Sequence, residues 1–177
     1  MKKPLRYILF VLIALLIGGL WYFSFNKISI KREAFNKFES LPKIELHTSQ
    51  NEIFHLTDFS YDEVKLLIYF NTHCDFCQFE IEELSKRLPE FENTEIILVS
   101  AEPIDSIRPF MQTLGFHSYP GAGAYHCSYD TLNKYFGQLA APTTFVYGTN
   151  NKLVKRFNGA TRIDDLLQVV QTAQVNK

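Results

Sequence analysis

Residues 7–25, YILFVLIALLIGGLWYFSF, form a predominantly apolar stretch of nineteen residues without a charge. At 1.5 Å per residue, a helix of about twenty residues crosses the hydrocarbon core of a bilayer. Beyond it, residues 26–40 mix charge with scattered apolar positions and read as a stalk. Residues 43–48 and 51–56 each alternate apolar and polar positions, with Ser49, Gln50 and Asn51 between them, which is a hairpin pattern. Residues 64–70 (VKLLIYF) and 95–100 (EIILVS) are short apolar runs suited to strands buried on both faces.

Between these two runs, Phe76, Phe79, Glu80, Leu84 and Leu88 keep a near-helical spacing that Pro89 ends or kinks. A second helix is expected over 104–114, with Pro109 inside and Gly115 as its cap. A turn-rich loop follows at 119–123, then a short strand at 124–128 and a helix at 130–136. Strands at 143–147 and 153–157 form a hairpin across Gly148-Thr149-Asn150-Asn151, and an amphipathic helix over 163–170 closes the chain. The β-α-β order demands a parallel pair with a right-handed crossover, and the last hairpin adds antiparallel strands. The expected fold is α/β: a mixed central sheet with helices on both faces.

Three flanking features define the N-terminus. Lys2, Lys3 and Arg6 precede the apolar run, Trp21, Tyr22 and Phe23 close it, and no cysteine follows. A cleaved signal peptide would have a shorter apolar core ending in small residues. The expected organisation is a cytoplasmic tail (1–6), a single transmembrane anchor (7–25), a stalk (26–40) and one globular domain (41–177). The basic charges on the two sides of the anchor nearly balance. A short basic tail is nonetheless easily left inside, and a long following domain translocates largely regardless of charge. The domain is therefore expected outside the cytoplasm, where disulfide chemistry is possible.

Composition adds little beyond permission. Of 177 residues, 46% are hydrophobic, including sixteen Phe and nine Tyr, enough for a core without disulfide staples. The net charge of −1 gives no basic excess, so no nucleic-acid partner is expected. Three cysteines, Cys74, Cys77 and Cys127, suit one working pair and one spare better than a disulfide framework.

Cys74-Asp75-Phe76-Cys77 falls where the first buried strand meets the first long helix. Two intervening residues at a helix start bring both sulfurs within disulfide reach. The first sulfur lies at the positive end of the helix, which favours thiolate, and the second lies a turn inside. Cys74 is thus the expected attacking thiol and Cys77 the resolving one. A zinc site would need two further ligands from Cys127, His126 or His73, and no metal or other cofactor is expected. Cys127 reads as a buried packing residue rather than a third redox thiol. Gly121-Ala122-Gly123 lacks the residues of a phosphate-binding loop. In Ala141-Pro142-Thr143-Thr144-Phe145, a proline directly precedes a buried strand, and the segment alone leaves cis and trans open.

Together, FNTHCDFCQFEIEEL (70–84), APTTFVYG (141–148) and KLVKRFNGA (152–160) resemble the membrane-anchored, extracytoplasmic TlpA-like branch of the thioredoxin superfamily. The resemblance runs from Leu41 to the end. It implies a thioredoxin-like three-layer sandwich with an N-terminal hairpin extension, and a thiol–disulfide oxidoreductase needing no cofactor beyond its own disulfide. It also implies a cis Pro142 beside the dithiol, with the backbone of Ala141, Pro142 and Thr143 binding an extended substrate chain. The implied partners are protein thiols and disulfides, with electrons drawn from a membrane thiol-reductant transporter.

The branch's C-x-x-C-x-x-E pattern puts its acid at Glu80. If buried, Glu80 would exchange protons with the thiols; if exposed, it would be an ordinary helix glutamate beside Glu82 and Glu83. Ile68 stands where thioredoxins carry a buried acid. The chain also departs from the branch at His73, where a tryptophan is common, and at Asp75-Phe76, which lacks the usual proline. A cationic His73 would favour the Cys74 thiolate, whereas Asp75 would oppose it. A peroxiredoxin-type peroxidase needs P-x-x-x-T-x-x-C, but Leu67 and Asn71 occupy those positions. A Cys/His metal chaperone is the remaining alternative.

Overall fold

The computed structural model describes residues 12–13, 15–19, 21–22, 39–48, 50, 52–116 and 119–175. The chain divides into two units, Met1–Asn36 and Lys37–Lys177. In the first unit the described residues are helical and exposed. About half of the expected anchor, and almost all of the expected stalk, falls outside the described residues. Among the described residues, no helix is long and apolar enough to cross a membrane.

The second unit carries seven strands and four α-helices among its described residues: β1 (Glu45–His47), β2 (Ile53–His55), β3 (Val64–Tyr69), α1 (Asp75–Ser85), β4 (Thr94–Ser100), α2 (Ile104–Thr113), β5 (Ala122–His126), α3 (Tyr129–Phe136), β6 (Thr143–Tyr147), β7 (Leu153–Asn158) and α4 (Ile163–Val175). They build one mixed sheet in the order β2-β1-β5-β4-β3-β6-β7. β3 runs parallel to β4, and β4 to β5, while β6 is antiparallel to β3, with Leu66 opposite Ile96 on one side and Val146 on the other. The fold is thioredoxin-like α/β, as the sequence led us to expect.

Two apolar layers cover the sheet. On one face Leu66, Ile68, Ile96, Leu98 and Val146 pack against Ile81 and Leu84 of α1, Ile107 of α2 and Leu166 of α4. On the other, Leu67, Ile97, Val99, Phe145 and Tyr147 meet Leu132 and Phe136 of α3 and Leu46 of the hairpin. Strands at the centre are covered twice, which is why β3 and β4 read as continuous apolar runs rather than alternating ones.

Three expectations need correction. The buried stripe of α1 is Cys77, Glu80, Ile81 and Leu84, whereas Phe76 and Phe79 are 70% and 63% exposed. The aromatic spacing suggested the wrong face. The fifth strand starts two residues earlier than expected, and Cys127 lies just past its end rather than on it. The small residues Ala122, Gly123 and Ala124 look like a turn but form strand because β4 pairs with them along their length. Gly123 leaves the space that the Tyr125 ring fills. Finally, α4 runs to Val175, beyond the predicted 170. Gly115, at φ +72°, ends α2 as predicted.

Candidate active site

β3 is buried up to its last residue, and Phe70, still bonded to the Val99 carbonyl at 3.0 Å, is followed by the turn that leads into α1. The turn between them is held by Asn71, whose carbonyl accepts from the Cys74 N–H at 3.2 Å. The Asn71 side-chain oxygen accepts from the His73 N–H at 2.8 Å. The Gln78 amide reaches back to the Thr72 carbonyl at 2.7 Å. These bonds put Cys74 at the N-cap of α1 in extended conformation, while its side chain makes no cap hydrogen bond. The Sγ instead points across the site to the Ala141 carbonyl at 3.7 Å.

The two thiols are unlike. Cys74 is half-buried and Cys77 fully buried, and both are free thiols, as is Cys127. They lie within hydrogen-bonding reach of each other. Burial, the Cys74 thiol and the Glu80 carboxyl push the Cys77 thiol up to about 12, against the pull of an N–H bond at Asn71. Cys77 therefore stays protonated in neutral solution unless something takes its proton.

Glu80, whose charge acts on the Cys77 thiol, is the site's buried carboxyl. It is only 1% exposed. Thr144 Oγ1 donates to its Oε1 at 3.0 Å, and the Thr161 N–H donates to its Oε2 at 3.1 Å. Burial raises its pKa, and these two bonds offset only part of the rise. Thr144 can reach it because it sits opposite Ile68 in the β3–β6 pair, with the side chain on the α1 face. Ile68 is itself fully buried and apolar. The site's buried acid thus comes from the helix rather than from β3.

Ala141–Pro142 is a cis peptide bond, and it lies beside the dithiol, as the resemblance implied. Pro142, Thr143 and Thr144 are buried, while Ala141 is partly open. The Thr143 hydroxyl turns away from the site to the Ala140 carbonyl, at 2.6 Å. Asp75 and Phe76 are exposed next to the cysteines, as is His73, whose ring is tied to Glu102. Cys127 is remote from this constellation. It is buried in the opposite apolar layer, and burial raises its thiol to about 11.

Sequence reasoning missed Glu102, Thr144 as the carboxyl's partner, and Thr161. Glu102 had a readable signal: it follows a buried strand parallel to β3, so it emerges at the same edge as the cysteines. Thr161 had none. Among the described residues no group of three or more His, Cys, Asp or Glu could hold a metal ion.

The fold and the helix-start cysteine pair place the chain in the thioredoxin-like class. More specifically, residues 39–156 match the model of the AhpC/TSA family, and the chain belongs to that family. No curated protein matches it. Among solved structures it resembles a candidate thioredoxin from Neisseria meningitidis, at 20% identity and a TM-score of 0.65, covering 78% of this chain and 92% of that one. It also resembles a secreted Mycobacterium tuberculosis disulfide oxidoreductase homologous to E. coli DsbE, at 12% identity and 0.63, covering 77% and 98%. A third is a peroxiredoxin-like protein from Aquifex aeolicus, at 12% identity and 0.61, covering 76% and 85%. At these identities the likeness concerns the fold.

Proposed function

We propose that this chain is a thiol–disulfide oxidoreductase, held to a membrane by residues 7–25, that reduces protein disulfides outside the cytoplasm. The observation that carries the reading is the asymmetry of the two thiols together with the buried carboxyl behind the inner one. Cys74, as thiolate, attacks one sulfur of a substrate disulfide. A mixed disulfide forms and the other substrate sulfur leaves as a thiolate. Cys77 then gives its proton to Glu80 and attacks the Cys74 sulfur. The second substrate sulfur departs, and a Cys74–Cys77 disulfide remains. The partly open backbone at Ala141, with Pro142 and Thr143, seats the extended substrate chain. A membrane thiol-reductant transporter would supply the two electrons that regenerate the dithiol.

Cys77→Ser removes the resolving thiol while leaving Cys74 in place. Mixed disulfides with protein partners should then accumulate at Cys74 and disappear on addition of dithiothreitol. If no adduct forms at Cys74, the assignment of roles is wrong. The anchor has its own check. The full-length chain should stay with carbonate-washed membranes, and protease added from the non-cytoplasmic side should digest the redox domain. Release by carbonate would refute the tether.

Family membership and the peroxiredoxin-like neighbour favour one second reading, a peroxidase acting through Cys74. It differs from the first in its oxidant, hydrogen peroxide rather than a protein disulfide.

A further inference from the structure

The reaction described above makes no use of Glu102. It lies two residues past β4, at the edge where β3 ends and the Cys74 turn begins. Its carboxylate is 16% exposed, and its Oε1 lies 3.1 Å from His73 Nδ1. The same carboxylate accepts from the Thr72 N–H at 2.7 Å, from the Thr72 hydroxyl at 3.0 Å and from the Ser100 hydroxyl at 3.2 Å. The Glu102 carbonyl lies 2.8 Å from His126 Nδ1. One residue therefore ties the ends of β4 and β5 to the two residues immediately before the attacking thiol. Burial opposes ionisation, but these hydrogen bonds outweigh it and keep the carboxyl below its ordinary range. The His73 side chain is 84% exposed, and its Nδ1 is held by this carboxylate and by the Thr72 hydroxyl, 3.1 Å away, which the carboxylate holds in turn.

We propose that Glu102 is a positioning residue that holds the His73 imidazole as a cation next to Cys74, and that this charge enlarges the thiolate fraction of Cys74. The proposal deepens the oxidoreductase reading and rests on Cys74 being the attacking thiol. Other titratable groups surround the pair. Asp75 opens α1 beside it, Cys77 and Glu80 lie behind it on the same helix, and His126 approaches from β5. Tyr69 of β3 feels both Cys77 and Glu102, with Tyr129 of α3 beyond it. Of these, Asp75 opposes the thiolate from the exposed side, and the His73 cation offsets it.

The test is the pH dependence of iodoacetamide alkylation at Cys74, read by peptide mass spectrometry on the reduced full-length chain. Wild type is compared with His73→Gln, Glu102→Gln and the double variant. Between pH 6 and 7, His73→Gln should slow Cys74 alkylation several-fold, because a cation beside a thiol favours its reactive thiolate. Glu102→Gln should also slow it in the wild-type background. In the His73→Gln background it should leave the rate unchanged or raise it, because only an anion is then removed. A change of equal size and sign in both backgrounds would show that Glu102 acts without His73 and would overturn the proposal, as would an unaltered profile in His73→Gln. His73 is at the surface, so that variant folds whatever becomes of Glu102→Gln. A Cys74 that traps substrate in Cys77→Ser yet ignores His73→Gln would sink the pair alone. A Cys74 that traps nothing would sink the oxidoreductase reading beneath it.

Discussion

Replacing Cys74 with serine should abolish disulfide reduction, lowering turnover of a model protein disulfide by about a thousandfold or more. The substitution is nearly isosteric at a half-buried N-cap, where serine is a favoured residue, so the fold should survive. What is lost is the only thiol in the site that meets solvent. Cys77 cannot substitute, since it is fully buried and its thiol is pushed up to about 12. Cys127 cannot either, because it lies in the opposite apolar layer. Cys127→Ser should therefore leave turnover unchanged. The same variants separate the two oxidants. If wild type consumes hydrogen peroxide faster than it reduces protein disulfides, and Cys74→Ser loses both, the peroxidase reading replaces the first. Equal turnover by wild type and Cys74→Ser would end both readings.

Glu80 should give the second-largest effect. Glu80→Gln fits the same space, since its oxygen can accept from the Thr161 N–H while its amide donates to the Thr144 hydroxyl. It cannot take a proton from Cys77. The resolving step should slow by about a hundredfold, in the range of a lost general base. The deficit should shrink as pH rises toward about 12, where solvent hydroxide deprotonates Cys77 directly.

Stability responds as well. The folded-state pKa of Glu80 lies above its ordinary 4.5, so the folded chain binds this proton more tightly than the unfolded one. The stabilisation is complete below the unfolded value and is lost as pH climbs through the folded one. Glu80→Gln lacks that slope. Urea midpoints should thus move in favour of the glutamine variant between pH 4 and pH 8. Parallel midpoints for the two proteins would mean that Glu80 is not buried in its charged form. Glu80→Leu should instead strand two donors, at about 1–3 kcal/mol for each.

How much of this could be read from the chain depends on how local each signal is. The cysteine pair, the strand before it and the Ala141-Pro142 segment are contiguous motifs, and they fall where expected. β3 and β4 were legible because strands covered on both faces need unbroken apolar runs. Phe76 and Phe79 misled because helical spacing shows that a stripe exists but not which way it faces. Here the inward stripe includes a glutamate, and the aromatics face solvent beside the dithiol. The Thr144 and Thr161 contacts, like the Glu102 cluster, depend on which strands lie opposite one another. That follows from the assembled sheet, and no single stretch of sequence encodes it.

The carboxyl pocket also has a consequence for the order of events during folding. Glu80 is joined to Thr144 and Thr161 across 64 and 81 residues, and Cys74 meets Ala141 across 67. Contacts this distant form only after most of the chain has been synthesised and its loops have closed. Until then Cys74, Cys77 and Cys127 are three equivalent, ordinary thiols. The difference between a half-buried and a fully buried thiol arises with the tertiary structure, so the proposed division of labour between Cys74 and Cys77 requires the folded chain. In an oxidising compartment an immature chain is at risk of pairing Cys127 with the wrong partner, a hazard that closure of the two apolar layers removes.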